Sequence, residues 1–176
     1  MREQDIKKHE ESVRLQRQGT RDALAEWANI FEWQIYHTGT FRREMSYRDT
    51  IKTKRAFRRF VDVLKHDYGK KSIEYFMVVE RHKDGNFTHV HDLMNGLDGL
   101  TYNQIREVWE SKFGRASVSG YDPAKGANYY LTKYVLKDVC DWDIKIDLRK
   151  PAVMKFKESQ FPEYERNSRG VLVRKG

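Results

Sequence analysis

The first half of the chain contains two segments with a regular pattern of apolar and polar residues. From residue 31 to 41, apolar and polar residues alternate and aromatic and β-branched types are frequent, which predicts a strand. Apolar residues then recur at helical spacing from Phe57 to Tyr68. Ser46 is the predicted N-cap of this helix, and Gly69 is its predicted end.

The second half contains further segments of both kinds. "IEYFMVVER" and "FTHVHDLMNG" predict two strands, and the Asp-Gly between them is typical of a hairpin turn. Thr101 and Gln104 predict a capping box at the start of a second helix. A short strand, "RASVSG", follows. Asp122 and Pro123 then begin a predicted third helix, "PAKGANYYLTKYVLKDV".

The order strand, helix, strand, strand, helix, strand, helix favours an α+β fold. We expect a ferredoxin-like or RRM-like central antiparallel sheet flanked by helices. The predicted folded domain covers residues 27–140. Residues 1–26 are predicted to form a polar N-terminal helix or arm, and residues 141–176 a C-terminal tail.

Composition excludes several classes of protein. No apolar run approaches the length of a membrane span and the N-terminus lacks a signal-peptide core, so we expect a cytoplasmic protein without a membrane partner. The single cysteine, Cys140, excludes an intramolecular disulfide framework.

The net charge of +8 is unevenly distributed along the chain. Residues 42–71 contain 11 Lys and Arg against 4 Asp and Glu, which is nearly the whole excess. Such a segment indicates a polyanionic partner, most simply a nucleic acid. The alternative is a solvated basic helix face that serves solubility.

Two histidines one residue apart lie on the second strand of the predicted hairpin. Side chains two apart share a face of a strand, so His89 and His91 project together, whereas Asp92 points to the other face. Glu80 ends the partner strand. Two imidazoles and a carboxylate suit a divalent ion such as Mg²⁺, Mn²⁺ or Zn²⁺. The alternative is an ordinary half-buried strand.

The predicted third helix carries two tyrosines and two lysines on one stripe: Tyr130, Lys133, Tyr134 and Lys137 follow one another at i, i+3, i+4 and i+7. Phenols beside ammonium groups are suited to attack on a phosphodiester, because a nearby cation favours the phenolate. The alternative is an aromatic stripe packed on the sheet with the lysines reaching solvent.

Taken together, these motifs resemble the HUH endonuclease superfamily, in particular rolling-circle replication initiators (Rep proteins) of the two-tyrosine type. The resemblance rests on "HTGTFRR" at 37–43, on "HVHDLM" at 89–94 and on "YLTKYVLK" at 130–137, in that order. Gly39 stands where an aliphatic residue is usual. Asp92 is a second departure, since that position is often small or apolar.

The resemblance implies a metal-dependent endonuclease that nicks and rejoins single-stranded DNA to start rolling-circle replication of a virus or plasmid. His89, His91 and Glu80 would hold Mn²⁺ or Mg²⁺, and Tyr130 or Tyr134 would form a 5′-phosphotyrosine, with Lys133 or Lys137 offsetting charge. The partner would be a replication origin. No Walker A motif is present, so a helicase and a polymerase would act in trans. Candidate DNA contacts are Arg42, Arg43, Lys54, Arg55, Arg58 and Arg59.

Two alternative functions stay open. One is a transposase that uses the same chemistry. The other is a non-catalytic, RRM-like nucleic-acid-binding domain, which would bind without metal and without cleavage.

Overall fold

The structure is a computed structural model, and it describes the central part of the chain most fully. The described residues are 11–12, 15, 19, 23, 27–31, 33–45, 49–81, 87–126, 130, 139–147, 164–166 and 172–174.

A five-stranded antiparallel sheet forms the centre of the fold, in the order β4-β1-β3-β2-β5. Its strands are β1 (Ile35–Thr40), β2 (Glu74–Arg81), β3 (Thr88–Asn95), β4 (Ala116–Gly120) and β5 (Val139–Lys145). The first four strands, with one helix after β1 and one after β3, have the β-α-β-β-α-β order of the ferredoxin-like arrangement. The predicted α+β class is confirmed.

Helix α1 (Thr50–Asp67) crosses one face of the sheet. Its N-cap is Asp49, whose side chain accepts the amide of Ile51 at 2.8 Å. The prediction of Ser46 as the cap was therefore wrong: Asp49 has extended backbone angles, and helical geometry begins only after it. Gly69 follows the helix with φ of 63°, which suits a residue without Cβ.

Helix α2 (Tyr102–Lys112) begins with the predicted capping box between Thr101 and Gln104. Its buried residues include Ile105 and Trp109. Neither α1 nor α2, nor any other helix among the described residues, is long and apolar enough to cross a membrane.

The sheet separates two apolar clusters. On the first face, α1 and α2 pack Phe57, Phe60 and Trp109 against alternate sheet residues such as Val90. On the second face, the cluster contains Leu93, from the intervening positions of β3. The other members of this second cluster are Ala28, Phe31, Trp33, Phe76, Val78 and Tyr130.

Strand β5 differs from what the sequence predicted. Val139 was placed at the end of a helix and residues 141–176 in a tail, whereas Val139–Lys145 pairs along β2 as an edge strand. The reason lies in the two-residue alternation of Trp142 and Ile144 with aspartates, which is a strand pattern. Beyond it, β6 (Tyr164–Arg166) and β7 (Leu172–Arg174) form a separate two-stranded sheet.

Gly39 lies in β1 directly beneath the indole of Trp109. A Cβ built on this glycine would lie under 3.0 Å from three atoms of the indole. This close approach accounts for glycine where the resemblance leads one to expect an aliphatic residue, because the large Trp109 ring takes the space of that side chain.

We therefore expect Gly39→Ala to lower the free energy of unfolding by about 1–3 kcal/mol, as overpacking of a close-packed core does. Thermal unfolding should show a fall of roughly 3–10 °C. Gly19→Ala, at a position with nothing within 4 Å of the new Cβ, is the control and should unfold at or above the native temperature. An unchanged melting temperature for Gly39→Ala would contradict this packing.

Candidate active site

The second face of the sheet presents both histidines of β3 side by side with hydroxyl groups of β1. In the register of these two strands, Thr38 lies opposite His91 and Thr40 lies opposite His89. Since directly opposed residues share a face, each imidazole meets the hydroxyl of its own cross-strand partner. The alternation predicted for "THVHDLM" is confirmed, because Asp92 points to the helix-covered face.

Both imidazoles are held through the same ring nitrogen. The Thr40 hydroxyl lies 3.0 Å from Nδ1 of His89. The Thr38 hydroxyl lies 3.1 Å from Nδ1 of His91, and the Tyr36 hydroxyl lies 2.9 Å from the same atom. When Nδ1–H donates to such a hydroxyl, the ring carries its lone pair on Nε2, and this is the outer support typical of metal-binding histidines.

Glu80 lies beside this pair, on β2. Its Oε2 is 2.9 Å from Nε2 of His91. The His91 side chain is 4% exposed and that of Glu80 is 21% exposed, so the carboxylate is the part open to solvent. The pairing of β2 with β5 shifts register between Val79 and Glu80. Such irregularities re-aim side chains and are common near active sites.

The donor chemistry of these three residues fits a divalent ion, but their placement is incomplete. Among the described residues, no three His, Cys, Asp or Glu side chains are grouped closely enough to hold a metal ion. Glu80 and His91 are close enough as a pair, because ligands at right angles and about 2.1 Å from an ion are about 3 Å apart. His89 would complete the set only after adjustment.

Tyr130 lies on the same face as the histidines but belongs to the packed interior. It is 7% exposed. Its ring centroid is 5.0 Å from that of Tyr36, the residue that contacts His91, and 5.2 Å from that of Tyr121. The Tyr130 hydroxyl accepts the backbone amide of Asp122 at 3.0 Å. Burial, with Tyr130 and Asp122 nearby, raises the pKa of Tyr121 to about 12, so Tyr121 stays protonated at neutral pH.

The remaining residues predicted on the tyrosine helix lie outside the described part of the chain. These are Lys133, Tyr134 and Lys137. Their roles stay predictions.

The basic segment lies mainly on the other face of the sheet from the histidines. Two of its predicted DNA contacts form ion pairs with β5: Lys54 Nζ is 2.6 Å from Asp141, and Arg58 Nε is 2.8 Å from Asp143. The hydrogen bond from Arg58 to Asp143 raises the pKa of the guanidinium above its ordinary value. These two cations therefore attach the edge strand to α1.

The other predicted contacts divide into two groups. Arg42 donates to the carbonyl oxygens of Glu110 and Ser111 at the C-terminal end of α2, which is a structural role. Within the described part of the chain, Arg43, Arg55 and Arg59 are exposed and have no ion pair.

A buried ion pair lies behind the site, and the sequence reading missed it. His37 Nδ1 is 2.7 Å from Asp92 Oδ2, and both side chains are 0% exposed. Among the described residues, His37 Nε2 and Asp92 Oδ1 have no hydrogen-bond partner. Burial raises the pKa of Asp92, although His37 opposes this shift. The available signal was a histidine in β1 at the register of a carboxylate in β3.

Comparison with known protein families gives one match. Residues 34–139, more than half of the chain, match the family described as replication-associated protein ORF2. The chain belongs to this family. The match spans β1 to the first residue of β5 and so includes Thr38, Thr40, Glu80, His89 and His91. Neither a curated protein nor a solved structure matches the chain. Membership of the replication-associated protein family supports the predicted role in starting replication.

For this replication-associated protein we expect Arg58→Gln to loosen β5, because Asp143 loses its ion pair. Amide hydrogen exchange across residues 141–145 should accelerate, while global stability falls by about 1 kcal/mol or less. Arg59→Gln, the neighbouring exposed arginine, is the control and should leave exchange in β5 unchanged. Equal exchange in both variants would show that the ion pair does not hold the strand.

Proposed function

We propose that the protein is a metal-dependent endonuclease that nicks and rejoins single-stranded DNA at a replication origin through a covalent 5′-phosphotyrosine. The observation that carries the proposal is the pair of histidines held through Nδ1 by hydroxyls of β1, with the Glu80 carboxylate at Nε2 of His91. A family defined by replication supplies the substrate class.

His89, His91 and Glu80 are the proposed ligands of Mn²⁺ or Mg²⁺. A bound divalent ion would act as a Lewis acid on an oxygen of the scissile phosphate. The hydroxyls of Thr38 and Tyr36 suit this site in both of its states, since a hydroxyl can donate or accept. Without metal, His91 donates Nε2–H to Glu80 and accepts at Nδ1; with metal, Nδ1–H donates to the hydroxyl.

We assign the first attack to Tyr134. Tyr130 is buried, and its hydroxyl accepts the Asp122 amide, which leaves its oxygen poorly placed for an incoming phosphodiester. The phenolate oxygen would form a bond to phosphorus while the bond to the 3′ oxygen breaks, giving a 3′-hydroxyl and a 5′-phosphotyrosine. Lys133 or Lys137 would offset the negative charge of the phenolate and of the transition state. Reversal of this step rejoins the strand without ATP.

Backbone contacts to DNA are proposed for Arg43, Arg55 and Arg59, the exposed members of the basic segment. A helicase and a polymerase would act in trans on the nicked origin.

The proposal predicts which tyrosine forms the covalent adduct. In a denaturing gel with labelled single-stranded DNA and Mn²⁺, Tyr134→Phe should lose the adduct by at least about a thousandfold. Tyr130→Phe should keep most of it and should lose about 1 kcal/mol of stability, because the Asp122 amide loses its acceptor. EDTA should abolish the adduct in every variant.

The reverse ranking, with the adduct lost in Tyr130→Phe and kept in Tyr134→Phe, would contradict the assignment of the nucleophile. A complete lack of adduct on origin-like and random strands, together with tight binding in EDTA, would favour the non-catalytic binding domain instead.

A second prediction concerns the hydroxyl that holds His89. Thr40→Val keeps the shape of the side chain but removes the group at Nδ1, and metal affinity should fall by about 10–100-fold. Titration calorimetry with Mn²⁺ measures this. Thr53→Val is the matched control: Thr53 is buried on the helix face against Thr88, so its change should lower stability but not metal affinity. Equal affinities for both variants would exclude a role of Thr40 in metal binding.

A further inference from the structure

We propose that Trp142 is a stacking platform for an unpaired base of the DNA strand that enters the active site. The inference rests on the proposed function for the identity of the strand, and on the geometry of β5 for the platform itself.

Trp142 projects from the same face of the sheet as the histidines. Its cross-strand partner is Val78, and the next residue across the sheet is His91. Directly opposed residues share a face, so Trp142 and His91 lie at one level, about 10 Å apart across two strand spacings. The neighbouring Ile144 packs against the apolar cluster of that face, which confirms the orientation of the strand.

The Trp142 side chain is 47% exposed, unlike its neighbours on this face. Val78 is 1% exposed and Leu93 is 0% exposed, so the apolar cluster is closed without the indole. A tryptophan on a sheet surface offers a flat π-face of the kind on which single-stranded nucleic acids stack their bases.

The charges around Trp142 are arranged to admit a phosphodiester strand. Asp141 and Asp143, its sequence neighbours, would repel phosphates if they lay on the same face. Strand alternation points both to the opposite face, where Lys54 and Arg58 pair with them. Hydrogen bonds from Lys54, the Trp142 amide and Thr50 lower the pKa of Asp141 against the effect of its burial, so it remains ionised within its pair.

An unpaired base is the occupant that fits these features best. A stretch of single strand that reaches the histidines passes within a few nucleotides of the indole. Stacking also requires no particular base, because every base has a π-face. Trp142 would thus orient the strand next to the scissile phosphate without setting the sequence.

The test compares Trp142→Ala with native protein in binding of a short labelled single strand at fixed salt. The dissociation constant should rise by about 5- to 150-fold. Trp142→Phe should restore most of the affinity. On a strand with abasic sites throughout, native protein and Trp142→Ala should bind equally, because no base is present to stack.

Tyr102→Ala is the matched control, since Tyr102 is also a half-exposed aromatic, at 49%, but lies on helix α2 and contacts the other face of the sheet. It should leave binding unchanged. Equal binding by Trp142→Ala and native protein would overturn the platform, as would an equal loss on the abasic strand.

The outcomes separate this inference from the proposed function. Adduct formation with unchanged affinity in Trp142→Ala would overturn the platform and keep the nuclease. A base-dependent loss of affinity without any adduct in native protein would keep the platform and overturn the nuclease. Concentration-dependent self-association of native protein that Trp142→Ala abolishes, without an effect on DNA binding, would overturn the platform and identify Trp142 as a contact between two copies.

Discussion

The pairing of β1 with β3 is the constraint on which the candidate site depends. It places Thr38 against His91 and Thr40 against His89, so each imidazole is fixed by a hydroxyl from the strand beside it. Neither strand could form this arrangement alone. A slip by one residue would turn all of these groups to the helix-covered face, where α1 and α2 pack.

The two faces of the sheet have different tasks, and β5 shows how one strand serves both. Its aspartates face α1 and are held there by Lys54 and Arg58. Its alternate residues, Trp142 and Ile144, face the side of the histidines. The basic segment is consequently used twice: part of it fastens the edge strand, and only the exposed remainder stays available for a polyanion.

The sequence predicted the parts of the fold that have local signals. The capping box at Thr101, the hairpin strands and the alternation around His89 and His91 depend on residues a few positions apart, and all of them match the structure. Strand β5 and the partners of Lys54 depend on residues about ninety positions apart, which periodicity cannot connect. Gly39 shows the same limit, because its meaning depends on Trp109, which is distant in sequence.

The buried pair of His37 and Asp92 explains how the register is selected. The site itself selects it weakly: in a slip by two residues, which keeps every face, Thr38 would meet His89, again a hydroxyl against an imidazole. The same slip would place Asp92 opposite Ile35, with its carboxylate buried and no cation beside it. An uncompensated buried charge costs about 3–5 kcal/mol. The pair that takes no part in the proposed chemistry is therefore the one that keeps the hydroxyls opposite the correct histidines.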